Sequence, residues 1–212
     1  MKILFKFTTK SRPQLFKRGM ESIINNVISQ NYHILITADL DDPTMLNHDY
    51  LKNDKVTTIW KHSTGKINAI NRDVNDFKDG WDILVNMSDD MVFIVKGFDD
   101  IIRKGFDNLG QCLHFPDGNT KELITMSILG RQFYNRFGYI YNPEYISLWC
   151  DNEQTDVAKL IGAYKYIDTQ IFEHRHPAVG KAQMDAQYYH TESFFNADRG
   201  TYERRKLANF DL

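Results

Sequence analysis

The chain alternates between short apolar runs and stretches in which apolar residues recur every three or four positions. Lys2 to Phe7 (KILFKF) is a run of the first kind and predicts a strand. Pro13 suits the first turn of a helix, along which Leu15, Phe16, Met20, Ile23, Ile24, Val27 and Ile28 share one face. Tyr32 to Ala38 (YHILITA) predicts a second strand, Asp42-Pro43 the opening of a short helix, and Val56 to Trp60 a third strand. Ile67 to Phe77 has helical spacing, Asp82 to Met87 (DILVNM) reads as a fourth strand, and Asp99 to Leu109 as a further helix. This alternation predicts an α/β fold with a mostly parallel sheet and helices on both faces. Ligands of such sheets bind at the carboxyl ends of the strands, so the loops after strands one, two and four are the first places to look for chemistry.

The second half has a different pattern. Leu113 to Phe115 and Leu123 to Ser127 predict short strands around the turn Pro116-Asp117-Gly118-Asn119. Gln132 to Phe137 and Glu153 to Ile161 are helical in spacing. Tyr164 to Ile167 and Gln170 to His174 predict a returning pair of strands, and Gln183 to Phe210 one long helix or a broken pair. No repeat, linker or low-complexity tract divides the 212 residues, which suits a single domain. Its first half, residues 1–110, would carry the parallel strands, and residues 111–212 would complete the fold.

Composition changes this picture little. With 42% hydrophobic residues, 25% charged residues and a formal charge of −2, the chain is an ordinary globular protein without a global electrostatic grip on nucleic acid. Cys112 and Cys150 fit neither a zinc spacing nor a disulfide framework and read as buried thiols in a reducing compartment. The N-terminal apolar stretch is too short for a signal peptide, and no 18 apolar residues run together, so a cytoplasmic protein without a membrane span is expected.

The sharpest chemical feature is Asn86-Met87-Ser88-Asp89-Asp90-Met91-Val92-Phe93, a buried strand running straight into two adjacent carboxylates. Such a pair repels itself unless a cation or hydrogen-bond donors offset it, and a hard divalent ion bridging a carboxylate to a diphosphate is one solution. A solvated turn with Asp as a helix cap is the plainer alternative. Phe172-Glu173-His174-Arg175-His176-Pro177 is the second cluster; at strand period His174 and His176 fall on one side, where neutral imidazoles could ligate manganese or simply face solvent. The third is Trp149-Cys150-Asp151-Asn152-Glu153, just before a helix, where an Asp is also what an N-cap asks for. The chain lacks a Gly-x-Ser-x-Gly elbow, a Gly-x-x-x-x-Gly-Lys loop and a Gly-x-Gly-x-x-Gly turn.

The stretches FTTKSRPQLFKRGMESI, ILITADLDDPTM, TGKINAINRDV and WDILVNMSDDMVF, in that order and spacing, resemble family 2 glycosyltransferases and related enzymes of the GT-A fold. The resemblance covers residues 3–105 well and the remainder loosely. It implies a single Rossmann-like domain, a nucleoside-diphosphate sugar as donor, a divalent metal (Mn2+ or Mg2+), and transfer of a hexose or pentose, usually with inversion. The acceptor (a glycan, a small molecule or a modified nucleic acid) and the oligomeric state stay open.

Carried over residue by residue, Thr8 and Arg12 fall where the family's first loop holds the nucleobase and ribose, and Asp39 where an acid reads the base edge. Lys66 and Asn68 match the segment along the donor, where a lysine neutralises phosphate. Met87 stands where many members have the first Asp of Asp-x-Asp; the variant seen here implies Asp90 on the metal and Asp89 on the ribose or behind the metal, with exchange of the two left open. His174, ahead of His176, matches a late histidine that completes the metal site in several GT-A enzymes, and Asp151, ahead of Glu153, matches the acid that takes the acceptor's proton. Two other readings compete: a nucleotidyltransferase of similar fold, and a binding module that has lost its chemistry.

Overall fold

The computed structural model describes residues 1–46 and 53–212. In order the elements are β1 (Ile3–Thr8), α1 (Pro13–Asn26), β2 (Tyr32–Asp39), β3 (Val56–Lys61), α2 (Lys66–Asn71), β4 (Ile83–Met87), β5 (Met91–Phe93), α3 (Phe98–Gly105) and β6 (Cys112–His114). They continue with β7 (Ile128–Gly130), α4 (Arg131–Phe137), α5 (Cys150–Leu160), β8 (Tyr164–Tyr166), β9 (Phe172–His174), α6 (Ala186–Glu192) and α7 (Phe195–Leu207). Seven strands form one sheet in the order β3-β2-β1-β4-β7-β6-β8; β3, β2, β1 and β4 run parallel, β7 is antiparallel to both its neighbours, and β8 is parallel to β6. This is a mostly parallel sheet flanked by helices.

Both faces of that sheet are covered, which explains why its strands read as continuous apolar runs rather than alternating ones. On one face Phe5, Phe7, Ile34, Ile36 and Val85 pack against Phe16, Met20 and Ile23 of α1. On the other, Leu4, Leu35 and Leu84 meet Ile67 and Ile70 of α2 and Phe133 and Tyr134 of α4. Parallel register sets Thr8 beside Thr37 and Phe7 beside Met87, so the carboxyl ends of β1, β2 and β4 open at one rim.

Three sequence expectations are corrected, and a fourth that offered two alternatives resolves to one of them. The helix predicted over 67–77 ends at Asn71, because Arg72 is extended and Asp73 turns into the left-handed region at φ 76°, although Val74 still reaches the core. Leu123 to Ser127 is irregular, and the strand lies at Ile128–Gly130. The strands around Tyr164 and Phe172 do not pair with one another: β8 joins β6, and β9 pairs antiparallel with β5 in a separate two-stranded ribbon. The long C-terminal stretch is a broken pair, α6 and α7. Among the described residues no helix is long and apolar enough to cross a membrane.

Candidate active site

The buried strand β4 delivers Asp89 and Asp90 to the rim, and the two carboxylates face different partners. Asp89 turns toward the loop after β1: Thr9 Oγ1 donates to it at 3.0 Å and Arg12 Nη1 at 3.0 Å. Burial lifts its carboxyl to about 6 against the pull of Arg12, and the neighbouring Asp90 charge adds to the rise. Asp90 turns toward β9. Its Oδ2 lies 3.3 Å from His174 Nε2 and accepts from the Tyr188 hydroxyl at 3.3 Å, while Ser88 Oγ donates to Oδ1. Burial by itself would raise this acid as well, but hydrogen bonding and charge from His174 hold it well below the usual carboxylate range. One acid of the pair is thereby kept ionised and the other brought toward neutrality.

His174 reaches Asp90 because of the β5–β9 ribbon. Met91, the residue after Asp90, is in register with His174, and the Arg175 amide donates to the Asp90 carbonyl at 2.8 Å. The ring lies between two acids, with Nδ1 3.3 Å from Asp117 Oδ2. Burial depresses its pKa, yet Asp117 and Asp90 together outweigh that and carry it up to about 9. His176 lies on the same side, its ring centroid 5.4 Å from that of His174 and 5.0 Å from that of Tyr188; its Nδ1 accepts the Ala178 amide at 3.2 Å.

Around this centre the loops bring further groups. Lys66, exposed at the start of α2, sends its charge onto both Asp90 and Asp151. Asn68 is exposed and its Oδ1 accepts the Thr64 amide at 3.1 Å, closing the turn that presents Lys66. Asp39, at the end of β2, is bound by Lys10 Nζ at 3.0 Å and by Ser63 Oγ, with Arg72 Nη2 3.6 Å away. Thr8 bonds inward, to Lys6 and to the Ala69 carbonyl at 3.4 Å, so in this loop Thr9 rather than Thr8 touches the acidic pair.

Asp151 lies in the first turn of α5, half-buried, with the Asn152 amide 3.0 Å from its Oδ1, and burial raises its pKa. The residue before the helix, Trp149, is held in the left-handed region at φ 62°. That conformation costs an aromatic residue on the order of 1–3 kcal/mol. Its ring is wedged against Phe195 and Tyr202 at centroid distances of 5.5 Å and 5.2 Å. Glu153 is different. Arg205 Nε donates to it at 2.7 Å and the Tyr145 hydroxyl at 2.8 Å, and it is 4% exposed, so this carboxylate ties α7 to α5, which argues against it as a base.

Sequence reasoning missed Tyr188, Asp185, Asp117, Arg72 and Thr9. Asp185 forms a two-bonded pair with Arg12, at 2.9 Å and 2.6 Å, and the Arg12 guanidinium stacks on Tyr188 at 3.9 Å. Asp185 also caps α6, which is the only signal the sequence carried for it. A cavity of about 280 Å³ lined by Asn108, Gln111, Gln132 and Arg136 lies at the opposite end of β4, where Gly130 pairs with Ile83, and takes no part in this site.

No family model and no curated protein matches the chain by sequence. Solved structures do match. A mannosyltransferase from Pyrobaculum calidifontis, in complex with GDP-Man and Mn2+, superposes with a TM-score of 0.60 at 11% identity over 80% of this chain and 55% of that one. S. aureus TarS 1-349 with UDP gives 0.65 at 14% identity, over 82% and 60%. The same protein with UDP-GlcNAc gives 0.64 at 14% identity, over 90% and 64%. This chain has a GT-A-like glycosyltransferase fold. It spans about 55–60% of the length of the first two of these structures, and at such identities the likeness concerns the fold.

Proposed function

We propose that the chain is a metal-dependent glycosyltransferase, moving a hexose or pentose from a nucleoside-diphosphate sugar to an acceptor hydroxyl with inversion. The observation that carries this reading is the meeting of Asp90 and His174, from distant segments, at the rim where β1, β2 and β4 end. The structural neighbours with GDP-Man, Mn2+, UDP or UDP-GlcNAc in their titles support it at the level of the fold.

A carboxylate oxygen and an imidazole nitrogen 3.3 Å apart form a donor set that suits manganese or magnesium's softer relatives. Among the described residues no three His, Cys, Asp or Glu side chains are arranged to hold an ion unaided. On this reading Asp90 and His174 would hold the ion, with His176 next to them, and the diphosphate oxygens would complete its shell. The ion would supply Lewis-acid neutralisation of the leaving diphosphate.

The chain's own groups do the rest. Lys66 offsets phosphate charge along the donor, and Asp39 reads the base edge with Arg72 behind it. Asp89, itself held by Thr9, fixes Arg12 at the ribose side. Asp151, poised by burial to accept a proton, takes it from the acceptor hydroxyl as the hydroxyl attacks. The acceptor is a glycan, a small molecule or a modified nucleic acid, met in the cytoplasm; the two free, buried cysteines suit that compartment.

The test is a calorimetric panel of UDP- and GDP-sugars with Mn2+, followed by turnover of whichever binds. Wild type is expected to bind at least one donor more tightly with metal than without, and Asp90→Ala to lose turnover while staying folded. Undiminished turnover in that variant would sink the reading. One observation favours a second reading, a nucleotide-sugar-binding module without chemistry: Met87, at the family's first acidic position, is buried in the core at 1% exposure. Donor binding without turnover on any acceptor would select it.

A further inference from the structure

The turn at residues 116–119, which the sequence offers only as a bend between two strands, grips His174 from several sides. The Asp117 carbonyl accepts the His174 amide at 3.0 Å, and Asn119 Nδ2 donates to the His174 carbonyl at 2.8 Å. The Asp117 side chain is 2% exposed. Its Oδ1 accepts the Asn119 and Thr120 amides, both at 2.8 Å, and its Oδ2 accepts from Thr125 Oγ1 at 3.1 Å. Those three bonds close the turn and fix the carboxylate. What they leave is Oδ2 within 3.3 Å of His174 Nδ1.

We infer that Asp117 is a positioning residue: it keeps the proton on His174 Nδ1 and so turns Nε2 toward Asp90. The inference rests on the donor-site reading above and deepens it. An imidazole can ligate an ion only through a nitrogen without a proton, and which one that is depends on what the other nitrogen donates to. Here the donor path from Nδ1 ends on a buried carboxylate that cannot swing away, because main-chain amides hold it. Asp117 itself touches neither donor nor acceptor; it acts through the ring.

Asp117→Asn separates this role from that of a turn-former. Asparagine keeps an oxygen for the Asn119 and Thr120 amides, but presents an amide N–H₂ where Oδ2 was, so the His174 ring is driven to carry its proton on Nε2 instead. The ring's tautomer is read in the metal-free protein by long-range ¹H–¹⁵N correlation above about pH 9, where the ring is neutral, and Mn2+ affinity by calorimetry in the presence of UDP. The expected result is a switch to the Nε2–H form and a 10–100-fold weaker Mn2+ affinity. UDP binding without metal should be unchanged. In a His174→Ala background the same change should cause no further loss.

If Asp117→Asn leaves both tautomer and Mn2+ affinity as they were while His174→Ala weakens Mn2+, the positioning role is wrong and the donor-site reading stands. If His174→Ala also leaves Mn2+ affinity unchanged, the donor-site reading fails and this inference with it. Should Asp117→Asn not fold, the wild-type protein decides with Zn2+ and UDP. Metal on Nε2 with a protonated Nδ1 supports the inference, and a protonated Nε2 overturns it.

Discussion

The two halves of the molecule are held together by different forces. From β1 to β4 the chain is fixed by area: Phe5, Phe7, Ile34, Ile36 and Val85 are fully buried, and neighbouring strands repeat one register. Beyond β4 the strands shorten to three residues, and buried charges do the fastening. Arg205, 4% exposed, binds Glu153, Glu144 and Asp211 at 2.6–2.8 Å. Asp198, 1% exposed, accepts the amides of Ile146, Ser147 and Leu148 at 2.7–2.8 Å. An apolar layer tolerates small displacements, whereas a buried ion with fixed hydrogen bonds specifies one arrangement or becomes expensive. On the proposed function the first half would be a platform for a donor, and the second would set single groups, Asp151 and His174, at chosen points above it.

This division is open to direct attack. The largest effect is expected from Asp151→Asn, which should lower the transfer rate by about 10²- to 10⁴-fold. Its UDP and Mn2+ affinities should match wild type, since the proposed function puts Asp151 on the acceptor side; an equal loss of donor affinity would show that the two sides are not separable.

Next in size is Arg205→Met, which leaves Glu153 buried without its cation and should cost about 3–5 kcal/mol in urea unfolding. Adding Glu153→Leu should recover most of it. A single-variant loss below about 1 kcal/mol would mean that apolar contacts hold α7 as they hold α1. Asp198→Ala removes one acceptor from three amides and should cost about 1–3 kcal/mol, read the same way.

The smallest effect is a slope. Lys6 is fully buried in β1, and burial brings its ammonium down to about 7. The unfolded chain keeps that proton up to about 10.4. Between these values the unfolded state binds more protons, so the contribution of Lys6 to stability rises with pH. Lys6→Met should flatten the rise seen in unfolding curves between pH 7 and 10; an identical slope in both proteins would remove Lys6 as its source.

The legibility of the sequence follows the same division. Strands β1, β2 and β4 fall within a residue or two of the runs KILFKF, YHILITA and DILVNM, because burial on both faces writes itself into consecutive positions. The period also misled: Ile67, Ile70, Val74 and Phe77 continue one helical face, yet the helix stops at Asn71 so that Asp73 can sit fully buried against Arg72, Lys61 and Thr37. No local pattern announces that exchange, since its partners lie on other elements.

Among the candidate residues, Asp89, Asp90, His174 and Asp151 were visible as polar groups interrupting apolar or helical stretches. Glu153 looked equivalent to Asp151 and is not, because its partner, Arg205, is 52 residues away. Tyr188, Asp185 and Asp117 had no chemical signature of their own, one being an aromatic in a helix and the others turn and cap residues.

The amino-acid sequence by itself determined the parallel sheet, the rim at which its strands end, and the acids delivered there, because hydrophobic burial acts on local periodicity. Only the tertiary structure decided which acid faces which partner. That β9 pairs with β5 rather than β8, and so brings His174 to Asp90 and Asp117, depends on contacts between segments far apart in the chain. Such contacts are chosen by the packing of the whole, and no window along the sequence contains both sides of them.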